Sequence, residues 1–301
     1  MSATDVSASH PAAGTAAQIS ATHRQHWSRP TSAFARAGGY LVLLFVGLGT
    51  VFPFVWMLLT SVRESNTVFS GGFLPSSVSF AAYRSAWVQV DMAHHFFISV
   101  WMTVVTVIGV VSLSTLSGYA FAKLRFPGKQ AIYLLLLSTL MVPPTATIIP
   151  LFIELRDLHL INNQGGLVLV YIGTALPFSM FLMRAFFESL PSELIEAGKL
   201  DGATQWSIFR RIMLPLAAPG VATVVIFQFL QTWNEFLMAN TLLQSPNLLP
   251  LQPMLFALNG QYSTNWPVLT AALTITSVPV IIVYVRMQRQ FVAGLTLGAI
   301  K

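Results

Sequence analysis

The chain has 301 residues, 54% of them hydrophobic and only 9% charged, with a mean hydropathy of +0.68 and a net charge of +6. A soluble domain carries about 25% charged residues, so this composition excludes one and makes lipid part of the solvent. Its Lys and Arg residues sit at the ends of apolar runs rather than along one polar face, which argues against nucleic acid as a partner, and a cysteine count of zero excludes disulfides and thiolate metal sites.

Residues 1–37 are rich in Ser, Ala and Thr and carry Arg24, Arg29 and Arg36. They read as a disordered cytoplasmic tail without a cleaved signal peptide. Six charge-free apolar runs follow in residues 38–301: Tyr40–Val62, Phe96–Ala122, Ala131–Ile153, Gly165–Met183, Leu214–Asn234 and Pro267–Val285. Each is long enough for a helix to cross a hydrocarbon core of about 30 Å. Backbone groups in lipid must be satisfied within the segment, and the runs do not alternate as barrel strands would. The expected fold is therefore an all-α polytopic membrane protein with six transmembrane helices.

Thirteen Lys and Arg residues fall on one side of these spans, and three (Arg63, Arg84, Arg156) on the other. The positive-inside rule then places both termini in the cytoplasm, with the loop between the fourth and fifth helices. Prolines at Pro53, Pro143, Pro144, Pro177, Pro219 and Pro279 lie within the runs. They fit ordinary bundle packing, or, at Pro143–Pro144, a break that lines a path.

The loop at about 191–214 is the most charged part of the chain: EAGKLDGATQWSIFRRIMLP, from Glu196 to Pro215. Ser192 is placed to cap a short helix, with Glu193 near its positive end. Glu196 and Lys199 can pair across one turn. Asp201-Gly202 reads as a helix stop, and Thr204 as the cap of a second helix through Trp206, Phe209 and Ile212. Pro215 then opens the fifth span. Small residues at Ala197 and Gly198 leave a low surface for another backbone to approach. Mixed charge without an aromatic anchor favours a protein partner over headgroups for the first helix.

Glu196-Ala197-Gly198, then Gly202, then Ile212-x-Leu214-Pro215 resembles the signature E-A-A-x3-G-x9-I-x-L-P of ABC-importer membrane subunits. Spacing matches throughout, and Gly198 replaces the usual second alanine. The stretches TSVRESNTVF, GYAFAKLRFPGK, INNQGGLVL and GLTLGAIK resemble the carbohydrate-uptake branch, as in the second permease of maltose-type importers. One departure is Ile98, where such proteins often have Asn before Ser99. The resemblance implies a multi-pass permease of a bacterial inner membrane that takes up a sugar. Its partners would be a second permease, two ATPase subunits and an extracytoplasmic binding protein. Glu196, Ala197, Gly198, Asp201, Gly202, Leu214 and Pro215 would couple it to the ATPase.

No G-x4-G-K-[ST] loop is present, so ATP and Mg belong on the partner subunits and this chain holds no cofactor. Nor is there a nucleophile with its base or a metal-ligand set, so an enzyme is not expected. For the substrate path the candidates are Trp233, Asn234 and Glu235, with Gln261, Tyr262, Pro143 and Pro144. Aromatics there could stack on sugar faces, or Trp233 could belong to an interfacial belt with Glu235 in water. The charge-free segment 244–266 is expected to face the binding protein. Adjacent His94 and His95 do not share a helix face and read as interfacial residues, not metal ligands. Two alternatives stand: a permease for another solute, and an ion-coupled secondary transporter, which would want ionisable groups at mid-membrane that these spans lack.

Overall fold

The structure is a computed structural model that describes residues 33–64, 68, 72–89, 91–258 and 264–299. Most of the expected tail, Gln261 and Tyr262 lie outside those residues. No strand occurs among the described residues. The chain divides into two compact units, Met1–Phe54 and Val55–Lys301.

Helix α1, Ala33–Ser61, supplies the described part of the first unit. It begins within the stretch expected to be tail. Its apolar side chains from Tyr40 to Phe54 are exposed, and its length and composition suit a membrane span.

In the second unit, α2 (Met92–Lys123) and α5 (Gln164–Ser189) form the most extensive helix pair. Glycines set their separation. A Cβ at Gly118 would lie 2.6 Å from Met183 Cβ, and one at Gly109 2.6 Å from Ile172 Cδ1. Lipid gives no hydrophobic drive between helices, so such close backbone approach supplies the cohesion. Helix α8, Ala218–Trp233, packs on both, with Gly220 against the Phe186 ring. Inside this bundle Gln228 Nε2 donates to Ser179 Oγ at 2.9 Å. The last helix, Trp266–Ala299, packs on α8, and Trp233 Nε1 donates to its Thr276 carbonyl.

Two of the expected spans are bent. The run Ala131–Ile153 is two helices, α3 (Lys129–Met141) and α4 (Pro144–Asp157), at 104°. Val142 and Pro143 are both extended, with ψ of 120° and 134°, because a residue before proline is driven out of the helical region and Pro143 precedes Pro144. The expected fifth span likewise starts later. Helix α8 begins at Ala218 and meets the preceding helix at 73°. Pro215 therefore lies before the bend and does not open the span, while Pro219 sits in the first turn of α8, where no amide is needed. By contrast Pro53, Pro177 and Pro279 lie within uninterrupted helices. Among the described residues, four helices are long and apolar enough to cross a membrane, or up to six with each bent pair counted as one span.

Candidate functional site

One end of the bundle carries the charged hairpin. Its arms are α6, Glu193–Leu200, and α7, Gln205–Leu216. Gly202 joins them at φ +75°, the left-handed conformation that glycine adopts without a Cβ penalty. Gly202 N donates to Lys199 O and Ala203 N to Gly198 O, so α6 closes in a Schellman motif that satisfies its last carbonyls. Thr204 caps α7 as expected, its Oγ1 accepting from Ser207 N at 3.3 Å.

Three sequence expectations need correction here. Ser192 is helical and makes no cap; its Oγ instead accepts from Lys123 Nζ, which also donates to Leu190 O at 2.6 Å. Glu196 and Lys199 form no ion pair. Gly198 does not thin the outer surface: it is buried, and a Cβ there would lie 3.0 Å from Ile208 Cγ1. The glycine lets α7 pack under α6. Gly198→Ala is therefore expected to be nearly neutral, within about 1 kcal/mol, since its helix propensity gain opposes a tight contact. Gly198→Val should destabilise by about 1–3 kcal/mol in thermal unfolding. Equal stability of the two variants would remove the packing role.

The hairpin is fixed to the bundle from beneath. Ile195, Ile208, Phe209 and Met213 join a core cluster with Tyr119 and Phe187, and Tyr119 Oη donates to Gln205 Oε1 at 3.1 Å. The upper face carries Glu196, Ala197, Lys199, Asp201 and Gly202, all exposed. Leu200, 90% exposed, stands among them and was not singled out from sequence; on the other arm Trp206 is 59% exposed. Leu200 is one helical turn from Glu196, and that spacing was the available signal. Leu214 is half-buried and Pro215 exposed, both just before the bend.

The other end of the bundle holds the second set of candidates. Trp233 is 2% exposed, packed on Phe229 and Phe96, so its ring has no free face for stacking. Glu235 is not simply in water either. Its carboxylate accepts from Met238 N (2.7 Å), Ala239 N (3.0 Å) and Tyr171 Oη (2.6 Å). It thereby caps the short helix Leu237–Leu242 and ties it to α5. Asn234 is exposed and donates to its own Leu230 carbonyl. Pro143 and Pro144 are exposed at the α3–α4 bend, and nothing brings them together with Trp233.

The stretch INNQGG and the histidine pair have a clear task instead. Asn162, at φ 55°, donates from its backbone to Leu242 O and from Nδ2 to Ser245 Oγ. Its Oδ1 accepts from Gln244 N and Ser245 N, both at 2.9 Å. Asn163 caps α5, and Gln164 Nε2 donates to Leu248 O. His94 Nε2 and His95 Nδ1 each lie 2.7 Å from a carbonyl, of Asn247 and Leu249, and a carbonyl only accepts, so both nitrogens carry hydrogen. Ser99 Oγ accepts from Leu251 N at 2.8 Å, while Ile98 joins an apolar cluster. Segment 242–251 is thus latched onto α2 and α5. Asn162→Ala should free the Gln244 and Ser245 amides to water, at about 0.5–1.5 kcal/mol per lost bond. Hydrogen exchange should show both losing protection, and unchanged exchange would exclude the latch.

A bundle of lipid-length and bent helices, with a rigid charged hairpin at one end and a latched loop at the other, defines a multi-pass membrane subunit. The chain belongs to the family described as binding-protein-dependent transport system inner membrane component, which matches residues 114–296. It is a permease of that transport class. The diacetylchitobiose uptake system permease NgcG of Streptomyces coelicolor is 35% identical over 87% of this chain and 88% of its own. The arabinooligosaccharides transport permease AraQ of Halalkalibacterium halodurans is 34% identical over 85% of this chain and 93% of its own. Among solved structures, a chain of a bacterial ABC transporter that imports the acidic polysaccharide alginate superposes with a TM-score of 0.77. It is 27% identical, covering 88% of this chain and 99% of that one.

Proposed function

We propose that this chain is one of two related permeases that carry a sugar or oligosaccharide into the cytoplasm. Two ATPase subunits holding ATP and Mg would drive it, and an extracytoplasmic binding protein would deliver the solute. Residues 38–301 form the transmembrane domain, with both termini and the hairpin on the cytoplasmic side, as thirteen of sixteen basic residues favour.

The observation that carries this reading is the hairpin itself. Its lower face is welded to α2 and α5 through Tyr119, Lys123 and Ile195, while its upper face offers Glu196, Ala197 and Leu200 to a partner. A body fixed below and exposed above transmits force without deforming. Sugar as the solute is supported by the relatives, whose names specify diacetylchitobiose and arabinooligosaccharides, and by the alginate importer.

The chain has no cysteine, so Ala197→Cys introduces its only thiol. Paired with a cysteine in the surface groove of the co-purified ATPase, it should crosslink and arrest uptake. An active variant that reacts with soluble thiol reagents but crosslinks at no groove position would end the coupling role. The solute class is tested separately: binding protein loaded with oligosaccharide should stimulate ATP hydrolysis, and a response only to non-sugar solutes would favour the wider permease reading.

A further inference from the structure

The two arms of the hairpin differ in charge. Helix α6 with its closing turn bears Glu193, Glu196 and Asp201 against Lys199 alone, whereas α7 bears Arg210 and Arg211 and no acid. Both arginines are exposed, and neither forms an ion pair among the described residues. They lie in a π-turn, Phe209–Met213, whose wider winding keeps Phe209 and Met213 buried and turns the two arginines outward. Trp206, one turn earlier, is 59% exposed, yet its ring is fixed at 5.3 Å from Phe209, and Leu216 at the far end is 48% exposed.

Orientation supplies the second observation. Helix α7 meets α8 at 73°. With α8 crossing the membrane, α7 runs close to the membrane plane at the level where α8 emerges. A helix in that position, with a tryptophan, an apolar end and only cationic charges, has the composition of an interfacial anchor. Its guanidinium groups can reach lipid phosphates while the arginine stems cover apolar surface.

We infer that α7 rests on the membrane surface, with Trp206 at headgroup level and Arg210 and Arg211 bound to the phosphates of anionic lipid. The acidic face of α6 is repelled from the same surface and stays available to protein. Lipid charge therefore helps to hold the α7 side of the hairpin at the level where α8 emerges. This holds for any transported solute and rests only on α8 crossing the membrane.

The test uses the full-length permease with its co-purified partners in phosphatidylcholine vesicles, with and without phosphatidylglycerol. Ser207→Cys, the only thiol of this chain, carries a small fluorophore attached before assembly with the partners. Brominated lipid should quench the label and soluble iodide should not, with the lipid contact strengthened by phosphatidylglycerol. Arg210→Gln with Arg211→Gln should weaken the binding of phosphatidylglycerol beside the label roughly fivefold per arginine, and the double lysine variant should restore it. Quenching indifferent to phosphatidylglycerol and to the arginines would overturn the proposal. So would shielding from iodide that appears only when the ATPase subunits are present, which would make α7 a protein-docking surface.

Discussion

Glu196→Lys is expected to abolish solute-driven ATP hydrolysis and uptake while leaving the folded subunit intact. Glu196 is exposed on the upper face of α6 and has no ion pair to lose among the described residues. The variant should therefore unfold at the same temperature as the parent. In the assembled transporter the carboxylate would be buried against a donor of the ATPase. Truncating one partner of such a pair costs about 2–5 kcal/mol, and reversing its charge adds repulsion. A loss of at least about thirtyfold in coupled turnover follows from the lower figure. Uptake in proteoliposomes measures it directly. Full transport by Glu196→Lys would mean that the hairpin does not couple through this residue.

A loss of similar size, by another route, is expected for Gly118→Val. A Cβ there would lie 2.6 Å from Met183 Cβ and 2.9 Å from Arg184 N, and a backbone nitrogen cannot rotate aside. Helices α2 and α5 would have to separate along their main contact. Overpacking costs typically about 1–3 kcal/mol and more where backbone is involved, so little folded subunit should reach the membrane. Gly47→Ala makes the control, since nothing lies within 4 Å of a Cβ there. Equal membrane levels of the two variants would show that the crossing is looser than the structure has it.

How much of this was legible depends on what each feature obeys. Lipid forces long apolar helices, so α1, α2, α5 and the last span could be read directly as runs. The hairpin was legible too, because Gly202 and Thr204 act through local chemistry that needs no tertiary context. Prolines were not so readable. Pro177 and Pro279 stay inside helices, while Pro143 and Pro144 break one because each imposes extension on the residue before it. Trp233 looked like a ligand contact but is core, since its neighbours Phe96 and Thr276 come from distant parts of the chain. For the same reason the latch was missed. Asn162, His94 and Ser99 each meet backbone some eighty to one hundred and fifty residues away, and no local pattern announces such a partner.

Helix α5 begins at the latch and ends at the hairpin, and α2 does the same in reverse. With 26 residues, α5 is about 39 Å long. Clasped by glycine contacts, the two form a stiff strut bearing a fixture at each end. A strut converts angle into displacement: a tilt of about ten degrees around one end moves the other by about 7 Å over that length. The geometry thus offers mechanical advantage, with a small rotation at the hairpin becoming a displacement of several ångström at the latch.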